Sequence, residues 1–431
     1  MKIINLKDLK TKDLSRILKR ASSDYQEVYP IVTKILANIK ENGDKAVLEY
    51  EKQFGADLKI LKVTTTEINE AWNKADPEFV IALKQAIKNI TMVSNSQLKT
   101  NEEKVETEIG IKVWREWRPI EKVGLYVPGG KAVYPSSLLM SAIPAQIAGC
   151  KEIIIVTPPN SEGKINEPIL VAAKLLGLTN IYKTGGAQAI AALAYGTETI
   201  PKVYKIVGPG NSYVTAAKLL LFGEVSIDMP AGPSEIFILA DENSDPKFIA
   251  ADLLADCEHG EDSAGVLITT SKRIAELTML EITKLLKTLP TASRAEASLQ
   301  KNGLIAIVDS LEEAIDFTNE YAPEHLIIAT ENPLEIAEKI INAGSIFLGN
   351  YTCKGSGDYA TGANHVLPTG QNAKSFSALS VDSFGKMIEL QEVSKVGLSK
   401  IRQTIEKLSQ VEGLPAHGYS ATVRFEGDSN V

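Results

Sequence analysis

The chain has little cysteine: three in 431 residues. Cys150, Cys257 and Cys353 lie far apart, are odd in number and include no CxxC pair, which excludes a disulfide framework. A reducing cytoplasm is the compartment that fits this usage. A basic excess is also missing. Lys and Arg total 46 against 54 Asp and Glu, a formal net charge of −8, whereas phosphate binding needs a basic surface, so no nucleic acid is expected as partner. No run approaches the roughly 18 apolar residues of a membrane helix, so no membrane is expected either. The opening MKIINLKDLKTKDLSRILKR alternates charge with apolar residues and lacks the apolar stretch of a secretory signal. GxGxxG, the Walker pattern and HExxH are all absent. Histidine is scarce, at four residues: His259, His325, His365 and His417.

What is present is the texture of a folded α/β enzyme. The length suggests two or three domains. Residues 1 to 100 read as helical, with charged and apolar mixtures over Tyr25–Glu41 and Thr66–Ser94, punctuated by Gly43 and Gly55. Ile111–Arg118 alternates like a strand. From about residue 120 short β runs, glycine turns and helices follow one another. Ile153–Val156, Ile181–Thr184 and Val203–Val207 are strands, and Gly185-Gly186 and Gly208-Pro209-Gly210 are turns into helices. A second series has strands at Ile236–Ala240, Val266–Thr270, Leu304–Val308, Leu326–Ala329 and Ser345–Leu348. This rhythm predicts parallel sheets covered by helices. The last 50 residues are helical and too few to bury a core alone, so they are expected to pack on another surface, such as a second subunit.

Candidate chemistry sits at four places. Asp256 and His259 close a helix that opens with Asp245-Pro246, and at three residues apart they share a face on which both can bind one zinc. Cys257 points off that face and reads as packing. Glu324-His325 stands at a strand entrance, as a general acid/base pair would. Asp358 and His365 lie in a long loop, 349–370, and such loops are often functional. Glu412 and His417 lie in the tail. Glycine-rich turns at Tyr126–Gly130, Gly208–Asn211 and Ala231–Glu235 end strands, and the second opens a helix whose N–H groups can hold an anion. Taken singly, each of these also reads as an ordinary helix end, solvated loop, exposed tail or backbone turn.

Taken together they resemble the histidinol dehydrogenase family over nearly the whole chain. GLYVPGG at 124–130, YPSSLLMSAIPAQIAGC at 134–150, TGGAQAIAALAYGT at 184–197, VGPGNSYVTAAK at 207–218, DMPAGPSE at 228–235, DLLADCEHG at 252–260, YAPEHL at 321–326 and GDYATGANHVLPTG at 357–370 occur in the family's order. The resemblance implies zinc-dependent oxidation of L-histidinol to L-histidine through the aldehyde, with two NAD, by a homodimer with shared sites. It implies zinc ligation by Asp256, His259, Asp358 and His417, the last from the other subunit. His325 would be the general base, with Glu324 activating water. Ser234, His365 and Glu412, together with His325 and the zinc ligands, would contact substrate. Tyr126, Gln188 and Asn211 would contact NAD. The expected fold is two Rossmann-like α/β domains with mainly parallel sheets. Residues 23–125 and 235–380 would form one and 126–234 the NAD-side other, with a helical segment over 1–22 and a helical tail domain over 381–431. Two residues depart from the family pattern. Asp256 stands where glutamine is usual, and Lys354, in Thr352–Ser356, stands where an acidic residue is expected. Oxidation of another small alcohol or diol, and a non-catalytic zinc-stabilised oligomer, are the alternative readings.

Overall fold

The computed structural model describes residues 1–20, 25–99, 101–129 and 133–426. Gly130, at the end of the first glycine-rich turn, lies outside them. The chain divides into two compact units, Met1–Gln97 with Ile120–Phe384, and Leu98–Pro119 with Gly385–Val431.

The first unit holds two parallel sheets. The six-stranded sheet runs in the order Lys2–Asn5, Leu304–Ile307, Ala264–Thr269, Glu235–Ala240, His325–Ala329, Ser345–Leu348. Its central strands EIFILA and AGVLIT are buried along their whole length. Parallel strands covered on both faces have this near-continuous apolar character. Apolar clusters built on Ile236, Ile238 and Leu253 on one face, and on Phe237, Leu239 and Tyr321 on the other, supply the cover.

The five-stranded sheet runs Ile181–Lys183, Glu152–Thr157, Lys122–Tyr126, Lys205–Val207, Ser226–Ile227. Strand order reverses at Lys122–Tyr126, which has Glu152–Thr157 on one side and Lys205–Val207 on the other. The carboxyl ends of these strands carry the Tyr126 and Gly208 turns. Gly208 adopts φ +128°, and a Cβ there would collide with the Tyr126 carbonyl, so the two turns are held in close approach.

Several boundaries differ from the sequence expectation. Where 1–22 is expected to be helical, Lys2–Asn5 is a strand paired in parallel with Leu304–Ile307, and the helix is Thr11–Lys19. Where 23–125 is expected beside 235–380, the helix Tyr29–Gln53 packs Val32, Ile35, Leu36 and Ile39 against Ile190, Leu193 and Val214 of the five-stranded sheet's helices. Lys122–Tyr126 is itself a central strand of that sheet. The apolar stripe of a helix goes to the nearest surface that can bury it, and sequence proximity does not name that surface.

The second unit is an antiparallel sheet, Gly385–Val393, Ile111–Pro119 and Val105–Glu108, with helices Lys395–Val411 and Pro415–Thr422. The tail expected to be helical therefore opens with a nine-residue strand.

Candidate active site

The site forms at the amino ends of strands Glu235–Ala240 and His325–Ala329. The helix Pro246–Cys257 starts beyond the carboxyl end of the first strand, where Asp245 accepts the Lys247 N–H at 2.8 Å. It runs back antiparallel to the sheet, so its last turn delivers Asp256, and the turn just beyond it delivers His259, to the amino edge. Cys257 is buried in the core beneath. Ser234, one residue ahead of the first strand, places its Oγ 3.0 Å from His259 Nδ1.

His325 is the first residue of its strand and is buried. Its Nδ1 lies 3.1 Å from the Glu235 carbonyl. A carbonyl only accepts, so Nδ1 carries the hydrogen, and in the neutral ring the lone pair is on Nε2. Nε2 is buried with no hydrogen-bond partner and faces Asp358 Oδ1 at 3.9 Å. Glu324 Oε2 accepts the Glu235 N–H at 2.7 Å and lies 3.5 Å from His325 Nδ1. Both backbone groups of Glu235 thus hold the Glu324–His325 pair. Burial pushes the Glu324 carboxyl above its usual range, against the lowering effect of His325. Burial and Lys354 push the His325 imidazole down, but the Asp256 and Glu324 carboxylates outweigh them and hold it above its usual value.

Asp358 comes from a segment that the sequence suggests is structureless. It lies instead in a short helix, Lys354–Tyr359. Gly357 lets this helix pass the Phe347 ring, where a Cβ would stand 2.5 Å from ring carbons. His365 folds back on it, with Nδ1 3.0 Å from the Asp358 carbonyl and Nε2 3.3 Å from Ser137 Oγ. Burial pushes the His365 imidazole down to about 4. A cavity of about 470 Å³ opens against His259 and Asp358, walled by Leu83, Ile90, Tyr134 and Met140.

Two residues at the site carry no sequence signal of their own. Arg20 grips Glu235 with two hydrogen bonds, Nε–Oε1 at 2.8 Å and Nη2–Oε2 at 2.7 Å. It also donates to the Leu18, Tyr321 and Ala322 carbonyls and stacks 3.7 Å over the Tyr321 ring. Lys354, noted in the sequence only as a departure, is buried, with Nζ 2.5 Å from Asp358 Oδ2 and 3.2 Å from Asp256 Oδ1.

The other predicted residues fall elsewhere. Tyr126 is buried, its hydroxyl accepting the Gly186 N–H at 3.2 Å. Gln188 is buried and donates to Glu51, which also takes Thr184 Oγ1 and the Gly185 N–H. Asn211 is exposed and caps the helix Ser212–Leu221 by accepting the Tyr213 and Val214 N–H groups. Glu412 and His417 belong to the second unit, where both are exposed.

Comparison with known proteins decides the family. The family model described as histidinol dehydrogenase matches residues 18–425. The chain belongs to the histidinol dehydrogenase family. A histidinol dehydrogenase of Bacteroides thetaiotaomicron is 48% identical over 413 residues, covering 95% of this chain and 96% of the relative. One from Methanocaldococcus jannaschii is 45% identical, covering 99% of each. The crystal structure of histidinol dehydrogenase from Elizabethkingia anophelis superposes with a TM-score of 0.95 at 43% identity, covering 100% of this chain and 99% of that one. The chain is thus an oxidoreductase of that family, with the α/β fold of its solved relative.

Proposed function

We propose that this chain oxidises L-histidinol to L-histidine through a bound aldehyde, reducing two NAD in turn. The observation that carries the reading is His325 Nε2, a buried nitrogen whose tautomer is set by the Glu235 carbonyl and which has no hydrogen-bond partner, facing Asp358, itself a wall of the cavity of about 470 Å³. In the first oxidation Nε2 takes the hydroxyl proton of the alcohol as hydride leaves the carbon. Glu324, steadied by the Glu235 N–H, then draws a proton from the water that adds to the aldehyde. Ser234 and His365 would contact the substrate directly.

NAD accepts the hydride in each step. The crevice outside Lys122–Tyr126 and Lys205–Val207, where strand order reverses, is the usual dinucleotide position in open parallel sheets. Asn211, at the start of the helix Ser212–Leu221, is exposed. Tyr126 accepts the Gly186 N–H directly, and Gln188 supports the Gly185 N–H through Glu51.

Zinc, when bound, would hold the substrate's amine and imidazole and fix its orientation. The donors suit it in kind: Asp256 and Asp358 carboxylates and the His259 imidazole, with both Asp256 oxygens buried and accepting no hydrogen bond. Among the described residues no three His, Cys, Asp or Glu side chains are yet gathered to hold a metal ion. His417 would complete the set from a second copy of the chain, and Glu412 would reach the substrate with it, which makes the functional form a homodimer. The exposure of both residues supports this. Cytoplasmic action is consistent with three unpaired thiols.

The test is direct. Purified protein should carry zinc and produce NADH from L-histidinol, at two NADH per histidine formed. NADH from another alcohol but none from histidinol would reject the substrate assignment.

A further inference from the structure

The two departures from the family pattern, Asp256 and Lys354, are not independent. They meet inside the site, Nζ to Oδ1 at 3.2 Å. Asp256 is completely buried, and neither of its oxygens accepts a hydrogen bond. The cationic or imidazole nitrogens facing it are Lys354 Nζ, His325 Nδ1 at 3.4 Å and His259 Nδ1 at 3.7 Å. Lys354 is 1% exposed, and the same ammonium reaches Asp358. Its backbone N–H is tied to Asp252 Oδ1 at 2.9 Å, which fixes the start of the short helix and the root of the side chain. A buried carboxylate without a cation is costly, and so is a buried ammonium without a carboxylate. A neutral amide at 256 would need no such partner. The lysine therefore answers the aspartate.

The position of the ammonium matters more than its presence. It bridges the two carboxylates assigned above as metal ligands. We propose that Lys354 is a built-in monovalent cation that competes with the divalent metal for Asp256 and Asp358, so that this chain binds zinc more weakly than the same site without the lysine. The inference rests on the reading of those two residues as ligands. For a divalent ion to take both carboxylates, Nζ must withdraw from between them, or remain nearby and repel it. At a separation of about 5 Å and an effective dielectric near 20, that repulsion is worth a hundredfold or more in affinity.

The experiment strips the full-length protein of metal with a chelator and titrates it with zinc, reading affinity by calorimetry and occupancy by elemental analysis. Lys354→Gln should bind zinc at least tenfold more tightly than the native chain. Because that variant leaves two acids facing each other, Asp256→Gln/Lys354→Gln serves as a second, charge-balanced variant. It should fold without metal and also bind zinc more tightly than the native chain. Affinity equal to or weaker than native in both variants, with native circular dichroism, overturns the proposal. If no form binds zinc, the competition is refuted with the ligand assignment. In that case histidinol oxidation measured in chelator shows separately whether the proposed activity stands.

Discussion

Arg20→Met should damage the acid/base pair without touching it. The Arg20 and Glu235 side chains are 3% and 5% exposed, and they share two hydrogen bonds of 2.8 and 2.7 Å. Removing one member of such a pair leaves a buried, uncompensated charge, at a cost of about 3–5 kcal/mol. Among the described residues, the Glu235 carboxylate then keeps the Gly370 N–H, at 2.8 Å. The same residue's backbone holds Glu324 by its N–H and His325 by its carbonyl. Strain at Glu235 is thus passed to both. Denaturant unfolding should show the loss in the transition of the first unit. Steady-state kinetics should show kcat for histidinol falling more than KM rises. Glu235→Gln keeps the shape and removes the charge, so Arg20→Met combined with Glu235→Gln should recover part of the stability, a coupling of at least about 1 kcal/mol. If Arg20→Met unfolds within about 1 kcal/mol of the native chain, or if the double variant is simply additive, the pair is not what holds the strand entrance.

Three further outcomes follow from the site. His325→Asn should lower kcat by about 10²–10⁴-fold while zinc content, read by elemental analysis, stays native, since the ring is assigned to proton transfer; native-like turnover would reject it as the base. His365 lies near 4 in the fold against about 6.5 unfolded, so the fold favours its neutral form. That contribution is complete above pH 6.5 and is lost as pH falls toward 4, by up to about 3 kcal/mol. His365→Gln should therefore flatten the stability profile between those values in pH-dependent denaturant melts. His259→Asn and His417→Asn should each lose zinc and turnover, yet mixing the two should restore activity, because one site of each mixed dimer is intact; verified mixed dimers without activity would refute the shared site.

Much of the site was legible because its parts are local. Asp256 and His259 lie three residues apart at one helix end, Glu324 and His325 are adjacent, and the strand runs EIFILA and HLIIA are apolar enough to place themselves. Arg20 was not legible. Its partners are 215 and more than 300 residues away, and nothing in ILKR distinguishes it from a solvated helix end. The strand Lys2–Asn5 was hidden for the same reason, since a parallel edge strand is defined by a neighbour 302 positions on, as Lys2 faces Leu304. The short helix at Lys354–Tyr359 was hidden by Gly355 and Gly357, which sequence reasoning scores as loop. The first opens no contact, but the second is required by the Phe347 ring.

The location of the site also departs from what a parallel sheet suggests. Ligands in open α/β sheets gather at the carboxyl ends of strands. Here the expected dinucleotide crevice obeys that rule on the five-stranded sheet, whereas the proposed acid/base residues Glu324 and His325 sit at the amino ends of the six-stranded one. The return helix Pro246–Cys257 makes this workable, because it carries Asp256 and His259 from the far edge back to Ser234 and His325. An amino edge exposes the backbone groups of a strand's first residue to side chains of the neighbouring strand entrance. Glu235 uses both, one to seat a carboxylate and one to set a tautomer. If Glu324 and His325 act as proposed, their placement rests on Glu235, and the Arg20 pairing that grips the Glu235 side chain is what the Arg20→Met variant tests.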